Sequence, residues 1–461
     1  MSFHPERNDP DSEMLKRKKV GFAFKPVQIL TIGFLMIIFF GGTLLSLPIS
    51  SANGTSTPFI DAVFTATSAV CVTGLTTVNT AAHWSLFGKT LIMMLIEVGG
   101  LGFMSLTVLA FLVSRKKINM RTRMVMQEAM NADSSSGILK RVIYMVKFSL
   151  FFQFAGAVLM MFTFIPQYGV GKGIYYGIFH AVSAFCNAGF DLFGDSLVPY
   201  QQNPFILMVI SALIISGGLG FIVWMDIYPF SKKRKSLHTA LVLRVTAVLL
   251  IGGAIIFFLT DMNEGLKGMS FSDKLFNSIF AAVTPRTAGF YSVDYTTVSV
   301  AGIVLTMVLM FIGGSPGSTA GGLKTTTLGL MVLKIRCIFK GRKDTEFHER
   351  RVSNEVVERA FALFFLAAGL VIVSTMVLSI TEKIPEGFGI EYLLFEVISA
   401  FGTVGSTLGL TPHMTVLGKI LCAVLMFIGR VGTFTIFFAL IKKGDKDSVK
   451  LRYPQENIMT G

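Results

Sequence analysis

The sequence predicts an all-α polytopic membrane protein in which four repeats surround one central pore. The chain of 461 residues is 52% hydrophobic and 15% charged, whereas about a quarter of the residues are charged in an average soluble protein. Its apolar residues lie in runs long enough to cross a bilayer, and one short motif ending in glycine occurs four times. Each repeat is expected to contain a helix, a re-entrant pore half-helix, an extended filter strand and a second helix.

The long apolar runs predict membrane-spanning helices. A helix of about 20 apolar residues crosses the hydrocarbon core, and a helix satisfies its own backbone hydrogen bonds where no water is available. The runs do not show the short polar–apolar alternation that is typical of membrane β-barrels. They cover residues 29–47, 91–113, 142–164, 205–228, 240–259, 360–380 and 417–441.

The net charge of +14 is unevenly distributed between the loops. Residues 50–82 and 192–203 contain no Lys or Arg. This positive-inside pattern predicts that both termini and the basic loops are cytoplasmic, and it accounts for the charge without nucleic acid as a partner. The first apolar run lacks a signal-peptide cleavage pattern, so we expect a multi-pass protein of the cell (inner or plasma) membrane, surrounded by the lipid bilayer. Basic residues cluster in the N-terminal tail and at 115–123, 232–235, 334–359 and 442–450.

The repeated motif indicates internal duplication. Its glycines are roughly 100 to 116 residues apart. A segment of about 12 to 14 residues precedes each copy and is too short to span a membrane, which is typical of a re-entrant half-helix. These segments lie at 59–70, 174–185, 271–283 and 388–401. The copies are TSAVCVTG at 67–74, VSAFCNAG at 182–189, AVTPRTAG at 282–289 and ISAFGTVG at 398–405.

The four glycine motifs predict a cation filter. Non-helical backbone at membrane depth is tolerated only inside protein or along a water-filled path. Four converging strands would form rings of carbonyl oxygens, which replace the hydration shell of K⁺ in potassium filters, and glycine permits the positive φ that such strands need. A single copy is more often a helix end or a packing site, but four copies favour the filter. The predicted K⁺-binding residues are Val72, Thr73, Gly74, Asn187, Ala188, Gly189, Thr287, Ala288, Gly289, Thr403, Val404 and Gly405.

A second motif, FIGGSPGSTAGGLKTTT, lies at 311–327. Together with the four copies and TPRTAGF at 284–290, it resembles the Trk/Ktr/HKT superfamily of cation transporters, over residues 26–441. The chain is most similar to the Ktr-type membrane subunit, because its first repeat begins without the extra helix pair of Trk-type relatives. The resemblance implies K⁺ as the ion, since Gly74 stands where sodium-conducting plant relatives have serine.

The resemblance also implies several partners. These are a second copy of the chain in a homodimer with two pores, and a cytosolic ring of nucleotide-binding regulatory subunits of the RCK/KTN type. Na⁺ is expected as an activating ion, and nucleotide is expected on the partner alone, because this chain has no Rossmann glycine pattern. The polar segments 119–137 and 346–358 are candidate docking segments, with simple membrane anchoring as the alternative.

Two positions depart from the family pattern just outside the filter, where they bear on ion entry. Ser406 follows the fourth filter copy in place of an apolar residue. The third copy continues with Tyr291 and Ser292, where asparagine is more usual.

The second motif predicts an intramembrane gate. Five glycines and one proline between residues 313 and 322 would break the second helix of the third repeat. A packed kink is the alternative, but a polar break inside a span usually lines a cavity. Arg430 lies in the last apolar run, where a charge is costly and usually functional. The predicted gate residues are Gly313, Gly314, Ser315, Pro316, Gly317, Ser318, Thr319, Gly321, Gly322, Lys324 and Arg430.

Other charged residues leave alternatives open. Arg286 is expected to clamp backbone carbonyls or a nearby acid, and Arg430 either slows cations beneath the filter, as the resemblance supports, or forms a packing salt bridge. Glu97 either pairs with a basic residue of another repeat or contributes to the dimer interface. Acids that follow the filter copies either concentrate cations at the pore mouth or are simply solvated; they are Asp191, Asp195 and Asp294.

The expected domain organisation follows the repeats. It comprises a cytoplasmic tail (1–25), repeat 1 (26–113), a cytoplasmic loop (114–139), repeat 2 (140–230), repeat 3 (238–337) with the gate loop (312–325), a cytoplasmic loop (338–353), repeat 4 (354–441) and a cytoplasmic tail (442–461).

The predicted function is that of the ion-translocating subunit of a sodium-stimulated potassium uptake system, channel-like in its filter. The alternative is a sodium- or proton-coupled monovalent cation symporter of the same fold. No enzyme is expected, because the sequence has no His/Glu metal motif, no GxSxG in a suitable context and no paired intramembrane aspartates.

Overall fold

A computed structural model describes residues 26–102, 138–228, 235–342 and 344–432. Its helices confirm the predicted all-α membrane fold of four repeats. Repeat 1 contains α1 (Pro26–Ser46), α2 (Phe59–Cys71), α3 (Thr80–His83) and α4 (Leu86–Leu101). Repeat 2 contains α5 (Ile138–Tyr168), α6 (Val170–Cys186), α7 (Pro204–Gly218) and α8 (Phe221–Ile227). Repeat 3 contains α9 (Leu237–Asp261), α10 (Phe271–Val283), α11 (Val300–Phe311) and α12 (Thr325–Phe339), and repeat 4 contains α13 (Asn354–Thr381), α14 (Glu391–Gly402) and α15 (Val416–Val431).

The first helix of each repeat is long and apolar enough to cross a membrane. The shortest of these four helices, α1, has an apolar stretch of 19 residues, which is about 28 Å at 1.5 Å per residue. Their outward faces expose large apolar side chains, including Phe39 at 56%, Phe154 at 72% and Ile380 at 85%. Such faces are stable against lipid tails and costly in water, so these helices form the outer wall of a membrane protein.

The half-helices α2, α6, α10 and α14 form the interior. Nine of the 13 residues of α2 and ten of the 12 residues of α14 are buried. Each follows a long outer helix and leads into one copy of the glycine motif. The hydrophobic core therefore surrounds the four glycine motifs, and the predicted short segments all appear as separate helices.

The second helix of every repeat stops at a similar place. In repeat 2 the predicted stretch 205–228 is not one continuous helix, because α7 and α8 meet at an angle of 96°. Gly220 between them has φ 94°, a value that side chains disfavour and glycine adopts freely. α4 and α15 likewise end before Gly102 and Gly432, with φ of 78° and 98°, and the predicted spans 91–113 and 417–441 extend beyond the described residues.

One small antiparallel hairpin lies between repeats 3 and 4. Strand β1 (Thr345–Phe347) pairs with β2 (Arg350–Val352), inside the segment predicted only as a polar loop. Phe347 is buried, and the guanidinium of Arg244 lies 5.4 Å from its ring centroid, so a cation–π contact attaches the hairpin to α9. Both predicted cytoplasmic tails and the candidate docking segment 119–137 lie outside the described residues.

Candidate functional site

The four glycine motifs share one backbone conformation. The first and third filter residues of every copy have positive φ. A non-glycine residue in this region is strained, and the strain persists only where the surroundings impose it. Its recurrence at the same place in four copies indicates one local structure used four times. The φ values are 58° for Val72, 62° for Asn187, 73° for Thr287 and 52° for Thr403, and 101°, 68°, 75° and 99° for Gly74, Gly189, Gly289 and Gly405.

The N–H groups of these strands point back to the half-helices. The amides of Thr73, Ala188 and Val404 each donate at 2.8 Å to a serine carbonyl, and that of Ala288 donates at 2.9 Å to the Thr284 carbonyl. Among the described residues, no group donates to the carbonyls of the first two of the three predicted filter residues in any copy. Buried carbonyls without partners are rare in proteins, so these eight oxygens are available to a cation.

Hydroxyl groups of the half-helices hold the same strands. Ser68 Oγ accepts from the amide of Gly74 at 3.0 Å, and Ser399 Oγ accepts from that of Gly405 at 3.1 Å. Ser183 Oγ donates to the Phe190 carbonyl at 2.7 Å, and Thr284 Oγ1 donates to the Phe290 carbonyl. Three of these residues are serines six positions before the glycine, a signal that was present in the repeated motif.

The four glycines form a closed ring. A Cβ atom placed on Gly74 would lie 2.5 Å from the Ala188 carbonyl oxygen, and one on Gly189 would lie 2.6 Å from the Ala288 carbonyl oxygen. A Cβ on Gly289 would meet the Val404 carbonyl, and one on Gly405 would meet the Thr73 carbonyl. Each copy therefore faces the next in chain order, and the fourth returns to the first. The structure brings the twelve predicted filter residues together around one axis.

The contact between repeats 4 and 1 is strengthened by an ion pair. Lys419 Nζ of α15 lies 2.7 Å from Asp61 Oδ1 in the first turn of α2, and the two side chains are only 13% and 14% exposed. The acid also lies at a helix N-terminus, where a negative charge is favourable.

The predicted gate loop, residues 312–325, packs against the filter. It leaves α11, returns through a bridge between Ile312 and Leu323, and enters α12. Its amides donate to the broken helix of repeat 2: Ser315 N to the Gly218 carbonyl at 3.0 Å and Thr319 N to the Gly217 carbonyl at 3.3 Å. This insertion explains the break between α7 and α8.

Individual loop residues contact three of the four filter copies. Thr319 Oγ1 lies 3.1 Å from Asn187 Oδ1 of the second copy. Space beside Gly313 is limited by the side chain of Thr287, and space beside Gly321 by the side chain of Thr403. The loop has little room to expand towards the filter, because a Cβ at Gly321 would collide with the Thr403 side chain and one at Gly313 would lie 3.2 Å from the Thr287 side chain.

Loop hydroxyls and Lys324 bind within the loop itself. Ser318 Oγ donates to the Ser315 carbonyl at 2.6 Å, and Ser315 Oγ lies 3.1 Å from Thr325 Oγ1. Lys324 Nζ donates to the Ala320 carbonyl at 2.7 Å. The remaining predicted gate residues, Gly314, Pro316, Gly317 and Gly322, lie in the same loop, where Gly314 O accepts from Thr325 N at 3.0 Å and Gly317 O accepts from Phe221 N at 2.9 Å.

Arg430 joins the loop to repeat 1. Its Nη1 donates to the Thr319 carbonyl, and its Nη2 donates to the carbonyls of Gly99 and, at 2.9 Å, Gly100. The guanidinium thus binds backbone carbonyls of two repeats. Among the described residues it forms no ion pair, so the packing salt bridge considered for it is absent there.

The expectation for Arg286 is corrected, and so is the basic partner considered for Glu97, whose other alternative, a place at the dimer interface, stays a prediction. Arg286 is buried, and its described hydrogen bond is a contact of 3.5 Å from Nη2 to Thr246 Oγ1, with neither a backbone carbonyl nor an acid. The described partners of Glu97 are neutral: Gln153 Nε2 donates to Oε2 at 2.8 Å, and the Cys186 thiol lies 3.4 Å from the same oxygen. Glu97 therefore binds repeat 2 directly behind its filter.

The acids that follow the filter copies are mainly used in turns. Asp191 Oδ1 accepts from the amides of Phe193 at 2.8 Å and Gly194 at 2.7 Å, and burial raises the pKa of this carboxyl. Asp294 Oδ1 accepts from the Thr296 amide at 2.9 Å. Asp195 and Asp294 are exposed and are open to ions in solution.

Residues 29–451 match the TrkH family, described as a cation transport protein. The chain belongs to the TrkH family. The resemblance to this superfamily is thereby confirmed, as is the expectation that the chain is a transporter-type membrane protein and no enzyme.

Relatives match over nearly the whole chain. A potassium/sodium uptake protein, NtpJ of Enterococcus hirae, is 53% identical over 97% of this chain and 100% of its own length. The Ktr system potassium uptake protein B of Bacillus subtilis is 41% identical over 95% of this chain and 97% of its own. The solved structure of the potassium transporter TrkH from Vibrio parahaemolyticus has a TM-score of 0.71 at 19% identity, covering 93% of this chain and 87% of that one, and so shares the fold.

Proposed function

We propose that this chain is the membrane-embedded, ion-translocating subunit of a potassium uptake system. The observation that supports it most directly is the closed ring of four glycine strands, whose amides are bonded behind the ring while eight carbonyls have no described donor. Such carbonyls bind a dehydrated alkali cation. Two relatives named for potassium uptake, at 53% and 41% identity, support K⁺ as the ion.

The gate is proposed to be the loop 312–325 with Arg430. The loop lies against the second, third and fourth filter copies, and Arg430 connects it to the first repeat. Ions that leave the filter must pass this loop, so its displacement would open the path. The positive charge of Arg430 adds an electrostatic barrier for cations.

The assembly proposed is a homodimer with two pores, each chain having cytoplasmic termini and the domain boundaries predicted above. Three relatives carry a Ktr system name, which supports a system of more than one component. A cytosolic nucleotide-binding ring would act on the gate, and Na⁺ would act as an activating ion; the name of the Enterococcus relative, a potassium/sodium uptake protein, connects Na⁺ with that relative's transport.

A sodium- or proton-coupled symporter of this fold remains the alternative, and the filter residues bear on its proton-coupled form. Proton coupling requires titratable side chains along the pathway, whereas the filter consists of Val, Thr, Asn, Ala and Gly. Uptake that is independent of an imposed proton gradient would exclude the proton-coupled form.

The experiment is rubidium uptake in a bacterial strain without its own potassium uptake systems. Wild type is expected to rescue growth at low K⁺, and Gly74→Ser is expected to weaken uptake or admit Na⁺, because its side chain would meet the Ala188 carbonyl. The matched control is Gly54→Ser, a glycine with φ 68° and nothing within 4 Å of an added Cβ. No rescue by wild type together with a Ktr-type regulatory subunit would refute the proposal.

A further inference from the structure

Glu396 is a buried acid of α14 whose partners all lie beyond the fourth filter copy. The residue is 0% exposed. Its Oε2 accepts from Thr407 Oγ1 at 2.7 Å, and its Oε1 accepts from Thr411 Oγ1. Among the described residues it has no Lys, Arg or His partner. A buried acid is costly unless its hydrogen bonds are kept, so these two hydroxyls are tightly coupled to it.

These bonds fix the chain as it leaves the filter. Thr407 lies two residues after Gly405, and its hydroxyl also accepts from the Gly409 amide at 2.9 Å. One turn further along α14, Ser399 holds the Gly405 amide. Residues three apart on a helix share a face. One face of α14 therefore binds both the filter strand and the segment that follows it. This segment includes Ser406, where the sequence departs from the family pattern.

The second half-helix has the same arrangement with different chemistry. His180 stands three residues before Ser183, as Glu396 stands three before Ser399, and it is also 0% exposed. Its Nε2 accepts from the Leu192 amide at 3.2 Å, so Nδ1 bears the proton and donates to the Tyr176 carbonyl at 2.7 Å.

In the other two repeats, the residue at the equivalent position does not bind the chain segment that follows the filter. Thr65 in α2 donates to the Asp61 carbonyl of its own helix at 2.8 Å. Phe280 in α10 has no polar group. The copies follow chain order around the ring. The two segments that are bound in this way, those after the filter copies of repeats 2 and 4, therefore lie diagonally opposite each other.

We propose that Glu396, acting through Thr407 and Thr411, fixes the outer end of the filter and thereby determines its preference for K⁺ over Na⁺. This proposal rests on the proposed function of the filter. A carbonyl ring favours K⁺ when its strands keep their spacing, whereas strands that relax inwards accommodate the smaller Na⁺. Glu396 touches no filter carbonyl and is a positioning residue.

The test is rubidium uptake with competing Na⁺ in the same bacterial strain, with the amount of protein in the membrane measured for each variant. Thr407→Val and Thr411→Val remove one hydroxyl each at nearly constant shape. Each is expected to lower the preference for Rb⁺ over Na⁺ about 10-fold, the effect of losing one hydrogen bond to a charged group. Thr407→Ser keeps the hydroxyl and is expected to retain the wild-type preference.

The matched control is Thr65→Val, which removes a hydroxyl as fully buried as that of Thr411 but bonded only within its own helix. It is expected to leave the preference unchanged. A wild-type preference in both Thr407→Val and Thr411→Val at wild-type amounts would overturn the proposal, as would an equal loss in Thr65→Val. Absence of Rb⁺ uptake by wild type would instead refute the proposed function, and the proposal with it.

Discussion

Replacing Arg430 with alanine is expected to release the gate loop. The guanidinium donates to the Thr319 carbonyl of the loop and to the Gly99 and Gly100 carbonyls of repeat 1. When the loop moves away from the filter, the bond to Thr319 is lost while the bonds to repeat 1 can remain. A bond made only in the closed state shifts the open–closed equilibrium by its own free energy.

The magnitude follows from this one bond. A hydrogen bond from a charged donor contributes about 1.5–3 kcal/mol. At about 1.4 kcal/mol per factor of ten, its loss shifts the equilibrium about 10- to 150-fold towards the open loop. Removing the positive charge lowers the cation barrier and acts in the same direction. Rubidium flux into proteoliposomes containing the Arg430→Ala protein should therefore exceed the wild-type flux at least several-fold.

Flux per molecule of folded protein distinguishes gating from damage. Arg430→Lys retains a charge that can reach a carbonyl, so we expect its rubidium flux to lie between those of wild type and Arg430→Ala. The control is Lys89→Ala, which removes a cation that donates to the Ala81 carbonyl at 2.6 Å and lies outside the loop. A wild-type flux in Arg430→Ala protein that runs as a single folded species would contradict the proposed gate.

Three further predictions concern the loop and the ring. Deleting residues 316–318 should raise rubidium flux and remove its dependence on a regulatory subunit, because the shortened loop cannot reach repeat 2. The measurement is rubidium flux with and without that subunit. Asn187→Ala removes the contact with Thr319 and should raise flux less than Arg430→Ala does, by about 2- to 10-fold for a neutral bond. Lys419→Met leaves Asp61 unpaired and should lower the free energy of unfolding in detergent by up to about 3 kcal/mol, which is seen as a lower melting temperature. The double variant Lys419→Met/Asp61→Leu should recover most of that loss.

Each of these predictions has an outcome that would contradict it. For the deletion, the control is removal of the exposed residues 53–55, and unchanged flux and regulation in the loop deletion would exclude the gate. For Asn187→Ala, a larger rise than in Arg430→Ala would mean that Arg430 is not the main contact. For the ion pair, equal melting temperatures of Lys419→Met and wild type would show that the pair adds no stability.

The order of elements was largely predictable from the sequence, because it depends on local properties. The length of an apolar run distinguishes a spanning helix from a half-helix such as α14. The repeated motif located every strand of the ring, since glycine marks the third residue of each strand, where φ is positive. The sequence therefore sufficed to predict which twelve residues lie together in the ring, and their binding of K⁺ stays a prediction.

The breaks in the second helices were not predictable in the same way. The stretch 205–228 is largely apolar, and its bend depends on Ser315 and Thr319, about 100 residues away, whose amides donate to the carbonyls of Gly218 and Gly217. The partners of Glu97 and of Glu396 were missed for the same reason. A buried acid is visible in the sequence, but the hydroxyl or amide that satisfies it depends on tertiary packing.

The ring of four glycine strands is built from a single chain, and this has an evolutionary consequence. In a pore made of four identical subunits, one codon change alters all four positions around the ion at once. Here each quadrant has its own codons, so a substitution such as Gly74→Ser alters one quarter of the ring and leaves the other three intact. Ion preference can thus change by small inherited steps, and opposite quadrants can acquire different supports, as His180 and Glu396 already have.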